Sequence, residues 1–214
     1  MRLTDVFHNE IDTIKEVVGA ESVQEKLDRL DYIFNFTEEK WYQNLERYGT
    51  VRIDKLLIAE APPWTATGEP RYFYNQIDSK LHEDIWHGII PDEPFPESQE
   101  DTYLMLAQRG FLLVDSLPFA MKYKPYHRRK ATYKKLIKEC SYYWLHKLAN
   151  PSMQFSDTIR VAFAFKLNAL AIIEAIPELQ LSSEITIALS ESMILADGSG
   201  FPKKAKIGDY FCPK

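Results

Sequence analysis

The chain has 214 residues, 45% of them apolar and 13% aromatic, with a formal net charge of −5. That is enough for one domain with a sizeable core, and the acidic balance excludes a surface that traps nucleic acid everywhere, although not a local basic groove. Cys140 and Cys212 lie far apart without a CxxC pair. They exclude a disulfide scaffold, a four-cysteine zinc site and an iron–sulfur cluster, and they point to a reducing, cytoplasmic setting.

The first twenty residues carry Asp5, Glu10, Asp12 and Glu16, which does not fit a signal peptide, and no run approaches a membrane span of about 20 apolar residues. Residues 4–19 show helical spacing, with Phe7, Ile11, Ile14 and Val18 on one face, Thr4 as cap and Gly19 as stop. A second helix is expected through Val23, Leu27, Leu30 and Ile33. A third starts at about Thr37, with Trp41, Leu45 and Tyr48 inward and Gly49 closing it. Residues 1–49 thus form a helical lead-in.

Ile53 to Ala59 is an apolar run of strand length, cut off by Glu60-Ala61-Pro62-Pro63, because paired prolines donate no ladder hydrogen bonds. A long polar turn follows, with Thr65, Thr67 and Gly68, closing on Tyr72-Phe73-Tyr74. A carboxylate, a stiff turn and stacking aromatics beyond the carboxyl end of a strand make a candidate site in a parallel sheet. The plain alternative is a proline turn whose aromatics pack in the core.

Residues 76–99 show no clear element, and PDEPFPESQE is a loop. His82 and His87 are five apart, not the i, i+4 spacing of a helical metal pair, so no metal is expected. Ser98 to Arg109 reads as a helix ended by Gly110. FLLVDSLPF, 111–119, is a second buried strand whose apolar run stops at Asp115. An acid there is costly unless paired or useful, or else it is a turn residue.

Residues 122–138 hold Lys122, Lys124, Arg128, Arg129, Lys130, Lys134, Lys135 and Lys138 and no acid, interleaved with Tyr123, Tyr126 and Tyr133. This +8 within a total of −5 leaves −13 elsewhere. Cations and rings together suit phosphates and unpaired bases, although a solvated helix start reads similarly. One helix is expected from Ala131 to Leu148, a third strand from Ile159 to Phe165, and a helix from Leu167 to Ile176 ended by Pro177. Of two further apolar runs, Ile185 to Leu189 and Met193 to Ala196, the second suits a fourth central strand because it meets the polar loop ADGSGFPKKAKI. The tail from Ile207 reads as an edge or a loose end.

The alternation of strands and helices predicts one α/β domain over 1–214: a three-layer sandwich whose central, mostly parallel four-stranded sheet is flanked by helices, with its core at 50–207. The loops after Ala59, Val114 and Ala196 leave strand ends on the same side. In that order they resemble the uracil-DNA glycosylase superfamily, closest to the branch whose first motif reads GE(A/G)PG, then TGxP and an aromatic. The matching residues are Ala59-Glu60-Ala61-Pro62-Pro63, then Thr67-Gly68-Glu69-Pro70, then Phe73. That branch carries a four-cysteine iron–sulfur cluster, for which this chain lacks the cysteines. In the family the strand after motif one ends in an asparagine that reads the flipped uracil. Leu112-Leu113-Val114-Asp115 puts Asp115 there. The family's last motif is a histidine-proline-serine loop, and Asp197-Gly198-Ser199 takes its place.

The resemblance implies hydrolysis of an N-glycosidic bond in DNA or a nucleobase-containing ligand, without metal or organic cofactor. Glu60 would orient the water, and Ala61, Pro62 and Phe73 would wall and stack on the base. Asp115 would read its edge, Asp197 and Ser199 would line the far side, and Lys122, Lys124, Arg128, Arg129 and Lys130 would hold phosphates. An ionised aspartate only accepts hydrogen bonds, so uracil fits poorly unless Asp115 is protonated, and a base offering donors fits better. A carboxylate at Asp197 would oppose charge developing on the leaving base. A catalytically silent domain of the same fold that binds nucleic acid or a nucleobase is the alternative.

Overall fold

A computed structural model describes residues 2–18, 20–120, 131–196 and 200–213. Its centre is a parallel sheet of three strands: β1 (Ile53–Ala59) lies between β2 (Phe111–Asp115) and β3 (Phe155–Phe163). Leu57 sits opposite Leu113 on one side and Ala162 on the other. Leu56, Leu57 and Ile58 are fully buried, the continuous apolar run of a parallel strand covered on both faces.

The fourth central strand is not formed. The segment 193–196 meets the sheet through one parallel bridge, Ile194 to Phe163, and one hydrogen bond from the Leu195 N–H to the Phe163 carbonyl at 3.0 Å. A 3-10 turn over Glu191–Met193 uses up the start of that run, which leaves too few extended residues for a ladder. The other apolar run pairs away from the sheet, in an antiparallel hairpin of β4 (Glu178–Gln180) and β5 (Thr186–Ala188).

Two helices, α4 (Lys80–Ile89) and α5 (Gln99–Gln108), connect β1 to β2. Two more, α6 (Ala131–Glu139) and α7 (Ser141–Leu148), connect β2 to β3. These crossovers run in opposite senses along the sheet, so right-handed connections put their helices on opposite faces. After β3 comes α8 (Lys166–Ala175), which packs on α6, and the chain closes with α9 (Lys204–Phe211) against α4. The α4–α9 contact is tight at Gly88, where a Cβ would sit 2.6 Å from Ile207 Cγ2.

The N-terminal part differs in its breaks. It comprises α1 (Leu3–Val6), α2 (Ile11–Val18) and the 26-residue α3 (Ala20–Leu45). The second and third expected helices are therefore one. The Thr37 hydroxyl donates back to the Phe34 carbonyl at 3.0 Å, and the Asn35 amide to the Asp31 carbonyl at 2.7 Å. Both side chains bond within the helix and neither starts a new one. The expected helix over 131–148 breaks at Cys140, between α6 and α7. The unread segment 76–99 contains α4, whose buried stripe is His82, Ile85, Trp86 and Ile89. Its spacing is helical, but a histidine fills an apolar position. The tail is a helix with Ile207 and Phe211 inward.

Candidate functional site

A cavity of about 460 Å³ lies at the carboxyl ends of all three central strands. Its walls include Ala59, Ala61, Pro62 and Pro63 after β1, Leu113 and Asp115 of β2, and Phe165 just beyond β3. Tyr72, Phe73 and His82 line it as well, and Phe201 closes another side. From β1 the chain leads toward β2, and from β3 toward the Ile194 bridge on the far side. The crevice between such strands is where an open α/β sheet takes its ligand.

The β1 loop is fastened from several directions. Arg29 of α3 donates through Nε to the Thr65 carbonyl and through Nη2 to Thr65 Oγ1, both at 2.8 Å. The Tyr74 hydroxyl donates to the Leu113 carbonyl and accepts from the Leu113 N–H, each at 2.8 Å. It thereby satisfies both backbone groups that Leu113 presents on the open edge of β2. The Tyr103 hydroxyl donates to the Phe73 carbonyl and also bonds the Gln76 carbonyl at 3.0 Å. His82 Nε2 lies 2.8 Å from the Phe73 carbonyl, and Nδ1 lies 2.6 Å from Ser79 Oγ. A carbonyl only accepts, so Nε2 carries the proton and Nδ1 accepts from Ser79. Burial lowers the His82 pKa, which keeps the ring neutral. The His82 ring stacks on Phe73 with centroids 4.8 Å apart and planes 6° from parallel. One face of Phe73 is therefore covered, and the residue is 6% exposed.

Two acids end adjacent strands. Glu60 is buried, and its Oε1 accepts from the Tyr133 hydroxyl at 2.6 Å. Asn168 donates to the Tyr133 hydroxyl at 3.1 Å and to Ser116 Oγ at 3.0 Å, while Ser116 Oγ donates to the Glu60 carbonyl at 3.1 Å. The Glu60 side chain belongs to this network and is not among the residues lining the cavity. Asp115 does line it. Its carboxyl makes no hydrogen bond or ion pair with any described residue. Burial pushes its pKa up to about 7, against the pull of the Lys147 ammonium and with a further rise from Glu60. Lys147 is itself buried, paired with Glu38 and stacked 4.9 Å over the Trp41 ring. Its own pKa is lowered by burial against the opposing effect of Glu38.

Of the residues singled out in the sequence, the structure brings Ala61, Pro62, Phe73 and Asp115 to one cavity and places the Glu60 carboxylate beside it. Asp197, Ser199, Lys122, Lys124, Arg128, Arg129 and Lys130 lie outside the described residues. Sequence reasoning missed Tyr72, His82, Phe165 and Phe201 as wall residues. Tyr72 stood in the quoted aromatic triplet, and the helical spacing around His82 was the signal for α4. Among the described residues no group of three or more histidines, cysteines or acids is placed to hold a metal, and no helix is long and apolar enough to cross a membrane. Compared with protein-family models, curated proteins and solved structures, the chain matches none of them.

Proposed function

We propose that the cavity binds a flat, extruded nucleobase and that the protein hydrolyses the N-glycosidic bond of a modified base in DNA, as the resemblance to uracil-DNA glycosylases implies. One observation carries this reading: Phe73 and Asp115 wall one cavity at the carboxyl ends of the parallel strands. The aromatic walls supply stacking surface, and Asp115 supplies a polar group for the base edge.

In the reaction the C1′–N bond breaks and its electron pair leaves with the base, while water adds to the sugar carbon and gives up a proton. A carboxyl titrating near 7 can hand a proton to the departing base, which neutralises the charge developing there. Asp115 thus both reads the edge and acts as the acid. Glu60 fixes the junction of the two strand ends through Tyr133 and Ser116.

The test is an assay on single- and double-stranded oligonucleotides carrying uracil, hypoxanthine, xanthine or alkylated bases, scored for cleavage at abasic sites. Product from at least one modified base is expected, with the rate falling above neutral pH as Asp115 loses its proton. The engagement of Glu60 by Tyr133, away from the cavity wall, favours a second reading: a silent domain that binds a base without hydrolysis. Salt-sensitive binding with no abasic product on any substrate would select it.

A further inference from the structure

We infer that the Tyr72 hydroxyl and the Asp115 carboxyl form one reading pair, and that the ligand edge they select presents a hydrogen-bond acceptor beside an N–H. The inference rests on the nucleobase reading above and narrows it to a substrate class.

Tyr72 is 5% exposed and lines the same cavity as Asp115. Its hydroxyl bonds to no described residue. That is unlike its neighbours, because the Tyr74 and Tyr103 hydroxyls are both spent on backbone groups. Neither the Tyr72 hydroxyl nor the Asp115 oxygens are among the sealed, unsatisfied side-chain atoms of the described residues. Both groups therefore open on accessible space without a hydrogen-bond partner among the described residues. A buried polar side chain normally finds one, and a pair left over in the same cavity is available to a ligand.

The two are close enough to feel each other's charge. Burial, and then the Asp115 carboxylate, hold the Tyr72 pKa well above that of an ordinary phenol, with Glu38, Tyr143 and Tyr103 adding to the rise. Tyr72 therefore remains a donor throughout the accessible pH range. Asp115, faced by Lys147 and Glu60, accepts when ionised. A carboxylate alone would leave a base carbonyl or ring nitrogen without a donor. The phenol beside it supplies that donor. The selected edge is a lactam or amidine: a carbonyl or ring nitrogen next to N–H or NH₂. Cytosine, adenine, hypoxanthine and uracil present such an edge, and with the glycosidic nitrogen also substituted, a base methylated on the edge nitrogen does not.

The experiment measures binding of uracil, cytosine, hypoxanthine and 3-methyluracil, each also methylated at its glycosidic nitrogen so that no second lactam edge remains, to the full chain by calorimetry at pH 8.5 and pH 6, for wild type, Tyr72→Phe and Asp115→Leu. At pH 8.5 the expected result is at least a tenfold loss for 3-methyluracil relative to uracil on the wild type. Tyr72→Phe should lose about tenfold for uracil. At pH 6, where a protonated Asp115 donates for itself, the Tyr72→Phe loss should shrink to a few-fold. A purely structural role for Tyr72 would give the same loss at both pH values. Equal binding of 3-methyluracil and uracil by the wild type overturns the reading pair while leaving a base-stacking cavity in place, and it needs no variant. Absence of binding for every base, with the chain folded by circular dichroism, overturns the nucleobase reading itself.

Discussion

Glu60 and Asp115 end neighbouring strands of the same sheet and are treated in opposite ways. Glu60 is closed in: Tyr133 donates to its carboxylate, and Ser116 and the Leu117 N–H bond its carbonyl. Asp115 is half-buried with no described partner, and burial lifts its pKa to about 7. A carboxylate at a strand end is stabilising when donors meet it and destabilising when they do not. The difference separates an acid tied into the fold from one that faces the cavity with no described hydrogen-bond partner.

The contrast breaks hardest at Lys147, the cation that faces Asp115. Lys147→Met leaves the largely buried Glu38 carboxylate without its cation, at a cost of about 3–5 kcal/mol. It also removes the group that opposes the rise at Asp115. Urea unfolding measures the loss, and the double variant Lys147→Met/Glu38→Leu should recover most of it. If the double variant is as unstable as the single one, the ion pair is not what the substitution broke.

Glu60→Ala ranks next. Removing a buried acceptor takes away the bond that the Tyr133 hydroxyl donates to the carboxylate and opens a cavity beneath the strand ends, at a cost of about 2–4 kcal/mol. Base binding by the folded fraction should change little, since the side chain does not line the cavity.

Asp115→Asn should act in the other direction. In the unfolded chain an aspartate releases its proton at about pH 4. In the fold Asp115 keeps its proton up to about 7. The folded state therefore binds more protons between those values, and the stability Asp115 contributes is present below pH 4 and lost as pH rises through 7. The amide removes that dependence, so Asp115→Asn should gain about 1–3 kcal/mol at pH 8 and almost nothing at pH 4. Denaturant midpoints at the two pH values check this.

The sequence shows the stabilising half of this contrast better than the functional half. β1 and β2 are legible as apolar runs that stop at Glu60 and Asp115, and α5 is legible from its Ser98 cap, whose hydroxyl accepts from the Asp101 N–H at 3.2 Å. The fourth strand was not, because an apolar run of four residues does not say whether a 3-10 turn will consume its start. At the site, a carboxylate at the end of a buried strand is visible in sequence, but whether donors reach it is decided by side chains far along the chain. Tyr133 and Asn168 stand 73 and 108 residues after Glu60, and no local pattern links them. The same holds for Tyr72, where only the fold shows which hydroxyls of the triplet are spent.

The smallest expected effect is the most discriminating, because it compares two tyrosines. Tyr133→Phe removes the donor to Glu60 and one acceptor of Asn168 without changing the ring, at a cost of about 1–2 kcal/mol. Tyr72→Phe removes a hydroxyl that bonds to no described residue and should leave stability unchanged within about 0.5 kcal/mol. Base binding should reverse the order, falling for Tyr72→Phe and holding for Tyr133→Phe. Thermal melting and calorimetry on the same samples give both numbers. If instead Tyr133→Phe keeps full base binding and loses abasic-site formation, the Glu60 carboxylate acts on the substrate through its tyrosine, and the boundary between holding the fold and doing the chemistry lies one strand over from where the geometry puts it.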